Sequence, residues 1–136
     1  MPSEYRLKRR VQFYETDMAG IVHFSWFFRY LEEAEHAMWR EAGLSIAGGS
    51  GIAWPRVETS FEFHRPLRFE DEFEVHLRII AKDARTIRYE GIITKGTDRV
   101  ATGRMTIKCV RRQAPGEPMH STDIPAEIDS LFQVAR

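Results

Sequence analysis

From Phe13 to Glu35 the chain reads FYETDMAGIVHFSWFFRYLEEAE. One acid, Asp17, stands in a short loop between a strand pattern over residues 6–14 and an apolar run that turns helical. Gly20 in that loop suggests a tight bend. From about Ser25 to Ala42 the apolar residues recur at helical spacing. Phe27, Leu31, Ala34 and Met38 form the centre of a face. Phe24, Phe28, Trp39 and Ala42 widen it on one side, and Trp26, Tyr30 and Ala37 on the other. Arg29, Glu32, Glu33, His36 and Arg40 share the remaining stripe. Apolar cover of that width is too great for a helix lying on a surface, so this helix must be wrapped. Gly43 followed by Leu44 supplies the left-handed glycine and apolar return contact of a helix end.

The second half of the chain supplies the wrapping. Val57, Thr59, Phe61 and Phe63 alternate with polar residues, as do Phe73, Val75, Leu77 and Ile79. After a turn at Asp83-Ala84 come Ile87, Tyr89, Gly91 and Ile93. After Gly96-Thr97-Asp98 come Ala101, Gly103, Met105, Ile107 and Cys109. Period-two alternation with short turns predicts an antiparallel sheet that buries one face. Pro125 and Glu127 open a short closing helix. The glycine-rich stretch Ala47-Gly48-Gly49-Ser50-Gly51 lacks the Lys-Ser/Thr and the strand–helix setting of a phosphate loop, and reads as a connector or a lid. One long helix and about five strands pack in one obvious way, with the sheet curled around the helix in an α+β fold. So apolar a helix beside a sheet with open edges predicts a second subunit, as homodimer or homotetramer.

The 136 residues form one domain, 1–136, able to bury roughly two-thirds of the surface of the unfolded chain. Twenty basic and twenty acidic residues cancel, which argues against a nucleic-acid surface. Lys8-Arg9-Arg10 reads as a solvated strand start rather than a basic tail. A lone cysteine forms no internal disulfide and no zinc site, and Cys109 on a strand face reads as buried and apolar rather than as a catalytic thiol. No apolar stretch follows Met1 and no run is long enough for a membrane span, so a cytoplasmic location is expected.

Tyr14-Glu15-Thr16-Asp17-Met18-Ala19-Gly20-Ile21-Val22 resembles the signature of the hotdog-fold acyl-CoA thioesterases, an aromatic or Gly, then x-x-Asp, two residues, Gly-x-Val. Phe27-Phe28-Arg29-Tyr30-Leu31-Glu32 is similar to the aromatic helix start of their 4-hydroxybenzoyl-CoA thioesterase branch. His64-Arg65-Pro66-Leu67-Arg68-Phe69-Glu70-Asp71 is similar to the family's Arg-Pro-Leu turn. These motifs occur in the family's order and span essentially the whole chain. The resemblance implies a hotdog fold, hydrolysis of an acyl- or aryl-CoA thioester, and Asp17 as the catalytic carboxylate. Coenzyme A enters as part of the substrate, with no other cofactor and no metal, and an acyl carrier protein is a second possible source of thioester. Two departures stand out: Phe24 occupies the position where one branch carries a His, and Phe24-Ser25 replaces the glycines of another. They leave open an alternative, a hotdog protein that binds acyl-CoA without cleaving it.

Thioester hydrolysis needs a nucleophile or base and donors for the oxygen that becomes negative. Asp17 serves as either nucleophile or general base, or else merely caps its own turn, as loop aspartates commonly do. Backbone N–H groups around His23, Phe24 and Ser25 are the candidate donors, because helix starts leave amides unpaired. His23 reads either as an orienting group or as structure. Tyr14, Gly20, Val22 and Phe28 are the expected pocket residues, alongside Phe24 and Trp26. Glu35 falls towards the edge of the apolar arc rather than in the polar stripe, and reads as a second acid or as a partly buried ion-pair member at a dimer interface. Arg65, Arg85, Arg88 and Arg111, with Arg68, Lys108 and Arg112 behind them, are candidates for the CoA phosphates.

Overall fold

The computed structural model describes residues 3–48 and 51–136. In chain order the elements are β1 (Glu4–Arg10), α1 (Ser25–Glu41), β2 (Ile52–Ala53), β3 (Arg56–Phe63), β4 (Glu72–Lys82), β5 (Thr86–Lys95), β6 (Asp98–Lys108), β7 (Val110–Arg111), β8 (His120–Ser121) and α2 (Ala126–Asp129). Five strands make one antiparallel sheet in the order β1-β4-β5-β6-β3, and β2, β7 and β8 form a small second sheet. Register shifts at Ile79/Ala81, Ile93/Thr94 and Arg56/Glu58 bend the large sheet. No helix of the described residues is long and apolar enough to cross a membrane.

The inward residues of β4, β5 and β6 meet the apolar face of α1 in one core. Leu31, Ala34 and Met38 are fully buried at its centre. The close approach of helix to sheet depends on Gly91, since a Cβ there would lie 2.5 Å from Leu31 Cδ1. Trp39 closes the far end between Trp54 and Phe132, with ring centroids 5.1 and 4.9 Å away, and donates its indole N–H to the Tyr89 hydroxyl at 3.1 Å. At the C-terminus of α1 the Gly43 N–H bonds Arg40 O and the Leu44 N–H bonds Trp39 O, with Gly43 at φ 81°. That is the glycine-capped ending read from the sequence. Cys109 is buried, as expected.

Three expectations are corrected. The first strand ends at Arg10 rather than residue 14, and Phe13–Glu15 forms a 3₁₀ turn, so Tyr14 is not a strand residue. Val11 leaves the ladder to exchange backbone bonds with Glu70 and Asp71, and the Glu15 carboxylate takes the Gln12 N–H to fold the chain back. The apolar parity of β3 is not buried: Val57 is 54% and Phe63 49% exposed, because β3 is an edge strand with β6 as its only neighbour. Phe24 stands 59% exposed rather than in the helix core. The two-residue strands β2, β7 and β8 carry no readable period. Gly49 and Ser50 of the glycine-rich stretch lie outside the described residues.

Candidate active site

The Asp17 loop is a hairpin pinched at its base. Thr16 and Val22 form an isolated antiparallel bridge, the Asp17 N–H bonds Ile21 O at 2.9 Å, and the Gly20 N–H bonds Asp17 O at 2.9 Å. Gly20 closes this turn at φ 79°, a conformation that side chains other than glycine disfavour. Two further bonds fix the hairpin to the body of the protein. Val22 N–H donates to Leu67 O at 2.8 Å, and His23 N–H donates to Glu15 O at 2.9 Å. Leu67 belongs to the Arg65-Pro66-Leu67 turn, so two motifs 45 residues apart in sequence are joined by one backbone bond. That turn is itself held by Asp71, whose Oδ2 accepts the Arg68 N–H at 2.8 Å and whose Oδ1 pairs with Lys95 at 3.0 Å.

Asp17 does cap its own turn, but with one oxygen only: Oδ1 accepts the Ala19 N–H at 2.9 Å, and Oδ2 has no partner among the described residues. The helix start behaves unevenly. Of the three amides expected as donors, that of His23 is taken by Glu15 O, and that of Ser25 points at His23 Nδ1 at 3.3 Å. The Phe24 amide alone has no acceptor among the described residues. The His23 imidazole contacts the Ser25 hydroxyl at 2.8 Å and leans on Phe24 at 4.6 Å between centroids, so it braces the first helical turn.

Asp17 lines two neighbouring cavities. One, of about 510 Å³, is walled by Val22, Phe24, Phe27, Phe63 and Pro66, with His64 and Arg65 beside them. The other, of about 520 Å³, is walled by Phe13, Tyr14, Met18, Gly20 and Phe69. Val22 and Phe24 thus fall in the first, and Tyr14 and Gly20 in the second. Phe28 falls in neither; its ring packs edge-on against Phe61 at 5.1 Å. Phe27, Phe63, His64 and Pro66, which the sequence reading did not assign to a site, line the first cavity. The 64–71 motif was the signal for His64 and Pro66, since its turn is what docks on the Asp17 hairpin.

Of the candidate cations, Arg65 is exposed at the first cavity. Arg85 is engaged by Asp123 at 2.9 Å and by Ser121, and Arg88 by Glu58 and Thr106, both at 3.0 Å. Arg111 lies on β7 in the small sheet and lines neither cavity. Among the described residues no three His, Cys, Asp or Glu side chains gather as a metal site.

Among the described residues two carboxylates are wholly buried. Glu15 receives Arg9 on both oxygens, at 2.8 and 2.5 Å, and the Tyr30 hydroxyl at 3.0 Å. Glu33 holds the other side of Arg9 at 2.7 Å, and burial beside Glu15 drives the Tyr30 hydroxyl well above its ordinary value. Glu35 pairs with Arg56 on β3. Burial outweighs Arg56 and pushes the Glu35 carboxyl up to about 7.

A wrapped helix with an acidic hairpin at its N-terminal end is the hotdog architecture of thioesterases. The chain belongs to the thioesterase-like superfamily, whose model matches residues 11–132, and is a thioester hydrolase. It is 41% identical over 103 residues to a protein of Aquifex aeolicus provisionally named an esterase, covering 74% of this chain and 79% of that one. It is 33% identical over 87 residues to the 1,4-dihydroxy-2-naphthoyl-CoA hydrolase of Parasynechococcus marenigrum, over 54% and 55% of the two chains. The crystal structure of a hypothetical protein from Aquifex aeolicus superposes with a TM-score of 0.86 at 32% identity, covering 95% of this chain and 99% of that one.

Proposed function

We propose that the protein hydrolyses an aryl- or acyl-CoA thioester, with Asp17 as nucleophile or general base. The observation that carries this reading is the position of Asp17, which keeps one oxygen uncommitted and lines two apolar cavities, one of them shared with Phe24, whose helix-start amide is unpaired among the described residues. A thioester carbonyl lying between the cavities puts its acyl group on one side and its pantetheine arm on the other. The Phe24 N–H and the helix dipole stabilise the oxygen as it becomes negative. Asp17 then either attacks the carbonyl carbon, expelling the CoA thiolate and leaving an anhydride for water to cleave, or takes the proton of an attacking water. Phe24, Phe27 and Phe63 favour a flat aromatic acyl group, in keeping with the naphthoyl substrate named for the cyanobacterial relative. Arg65, exposed at the first cavity, is the cation we assign to a CoA phosphate. The same reading includes a second copy of the chain over the exposed face of β3, next to the cavity that Phe63 lines.

The test is thiol release, followed with a thiol-reactive dye over short, long and aryl acyl-CoAs. Wild type turns over aryl thioesters fastest, and Asp17→Asn loses on the order of 10²-fold or more in rate. Equal turnover by Asp17→Asn refutes the role of Asp17, and saturable binding with no turnover on any thioester refutes hydrolysis.

A further inference from the structure

The reading above needs Asp17 and the Phe24 amide at a fixed separation, yet no contact joins them directly. Asp17 is half-buried and Phe24 exposed, both belong to the segment 12–25, and neither side chain has a hydrogen-bond partner in the core. Glu15, at the entry of that segment, does. The Glu15 side chain is 0% exposed and accepts from Gln12 N–H at 2.8 Å, from Arg9 at 2.8 and 2.5 Å, and from the Tyr30 hydroxyl at 3.0 Å. Its main-chain oxygen accepts the His23 N–H at 2.9 Å, one residue before Phe24. Glu15 therefore fastens the entry of the Asp17 hairpin to β1 through Arg9, to α1 through Tyr30, and to its own exit through His23.

From this geometry we infer that Glu15 is a positioning residue of the hydrolytic site, an inference that rests on the thioesterase reading. Its carboxylate does not meet substrate. It fixes where the Asp17 oxygen stands relative to the helix-start amide. A bidentate arginine and a buried hydroxyl define the orientation of a carboxylate far more narrowly than a solvated turn could. Shortening the side chain by one carbon in Glu15→Asp keeps the charge but cannot reach Arg9, Tyr30 and the Gln12 amide together. The hairpin then shifts or loosens while the cavity walls of α1 and β3 remain.

The experiment compares wild type, Glu15→Asp, Tyr30→Phe and Glu35→Gln by thiol release from 4-hydroxybenzoyl-CoA and by amide hydrogen exchange. Glu35 is the control because it is just as buried, yet lies about 15 Å along α1 from the helix start. Glu15→Asp is expected to lower kcat at least tenfold with KM within about twofold, and to lower exchange protection at His23 and Val22 at least tenfold. Protection at residues 31–38 stays unchanged. Tyr30→Phe, which deletes one donor and preserves the ring, moves the same readouts in the same direction by a smaller factor. Glu35→Gln changes the melting temperature but keeps kcat within about twofold. Unchanged kcat and unchanged hairpin protection in Glu15→Asp and Tyr30→Phe overturn the inference, as does an equal fall in kcat for Glu35→Gln. If wild type releases no thiol, the thioesterase reading fails, and the exchange data still decide whether Glu15 fastens the hairpin.

Discussion

Glu35 shows what a buried carboxyl does to stability when its counter-charge falls short. Its folded value of about 7 lies above the 4.5 it has unfolded, so between those two pH values the unfolded chain gives up the proton and the folded chain keeps it. Folding stability therefore falls as pH rises through this window, by up to about 3 kcal/mol, and levels off above it. Glu35→Gln removes the titration. Melting curves taken between pH 4.5 and 7 are expected to show the variant gaining on wild type as pH rises, and parallel curves would refute the assignment. Glu15, with Arg9 on both oxygens, is a different case: cutting Arg9 back to alanine strands a buried charge and costs about 3–5 kcal/mol, read as a large fall in Tm. The burial of Glu35 was legible in part, from its place at the edge of the apolar arc of the helix; that of Glu15 was not. Asp17 could be read from the loop it sits in. Glu15 could not, because its partners Arg9 and Tyr30 stand 6 and 15 residues away and hydropathy scores every acid as a surface residue.

At the scale of elements, α1 and β4 to β6 followed from period alone, since each repeats long enough for one face to be counted. The predicted helix ended at Ala42 and the observed one ends at Glu41. Alternation in β3 was equally clear, but period assigns parity and not the side on which a cover exists. The strand came out with Val57 and Phe63 half-exposed because it stands at the sheet edge. The contact of α1 on the sheet offers a sharper test of the packing. Gly91→Ala forces a methyl group to within 2.5 Å of Leu31 Cδ1, and overpacking of this kind costs about 1–3 kcal/mol. The variant should melt several degrees lower, and Leu31→Val in the same chain should recover part of the loss, a coupling that a double-mutant cycle measures. A Gly91→Ala protein as stable as wild type would refute this overpacking.

For the whole molecule, the exposed apolar face of β3 predicts more than one chain in solution. Light scattering is expected to return the mass of at least two chains, and Val57→Asp, which puts a charge on that face, to reduce it to one. A wild type that scatters as a single chain refutes the proposed second copy. The backbone bond from Val22 to Leu67 has a further consequence, in the order of events during synthesis. Asp17, the helix and its start are all made within the first 41 residues, yet the strand that pairs with β1 begins at Glu72 and the carbonyl that holds the hairpin belongs to Leu67. Contacts so distant in sequence form late, after the loop between them has closed. A nascent chain that has emerged only through β3 carries Asp17 and the Phe24 amide and still has no site, so the enzyme cannot act before its fourth strand has left the ribosome.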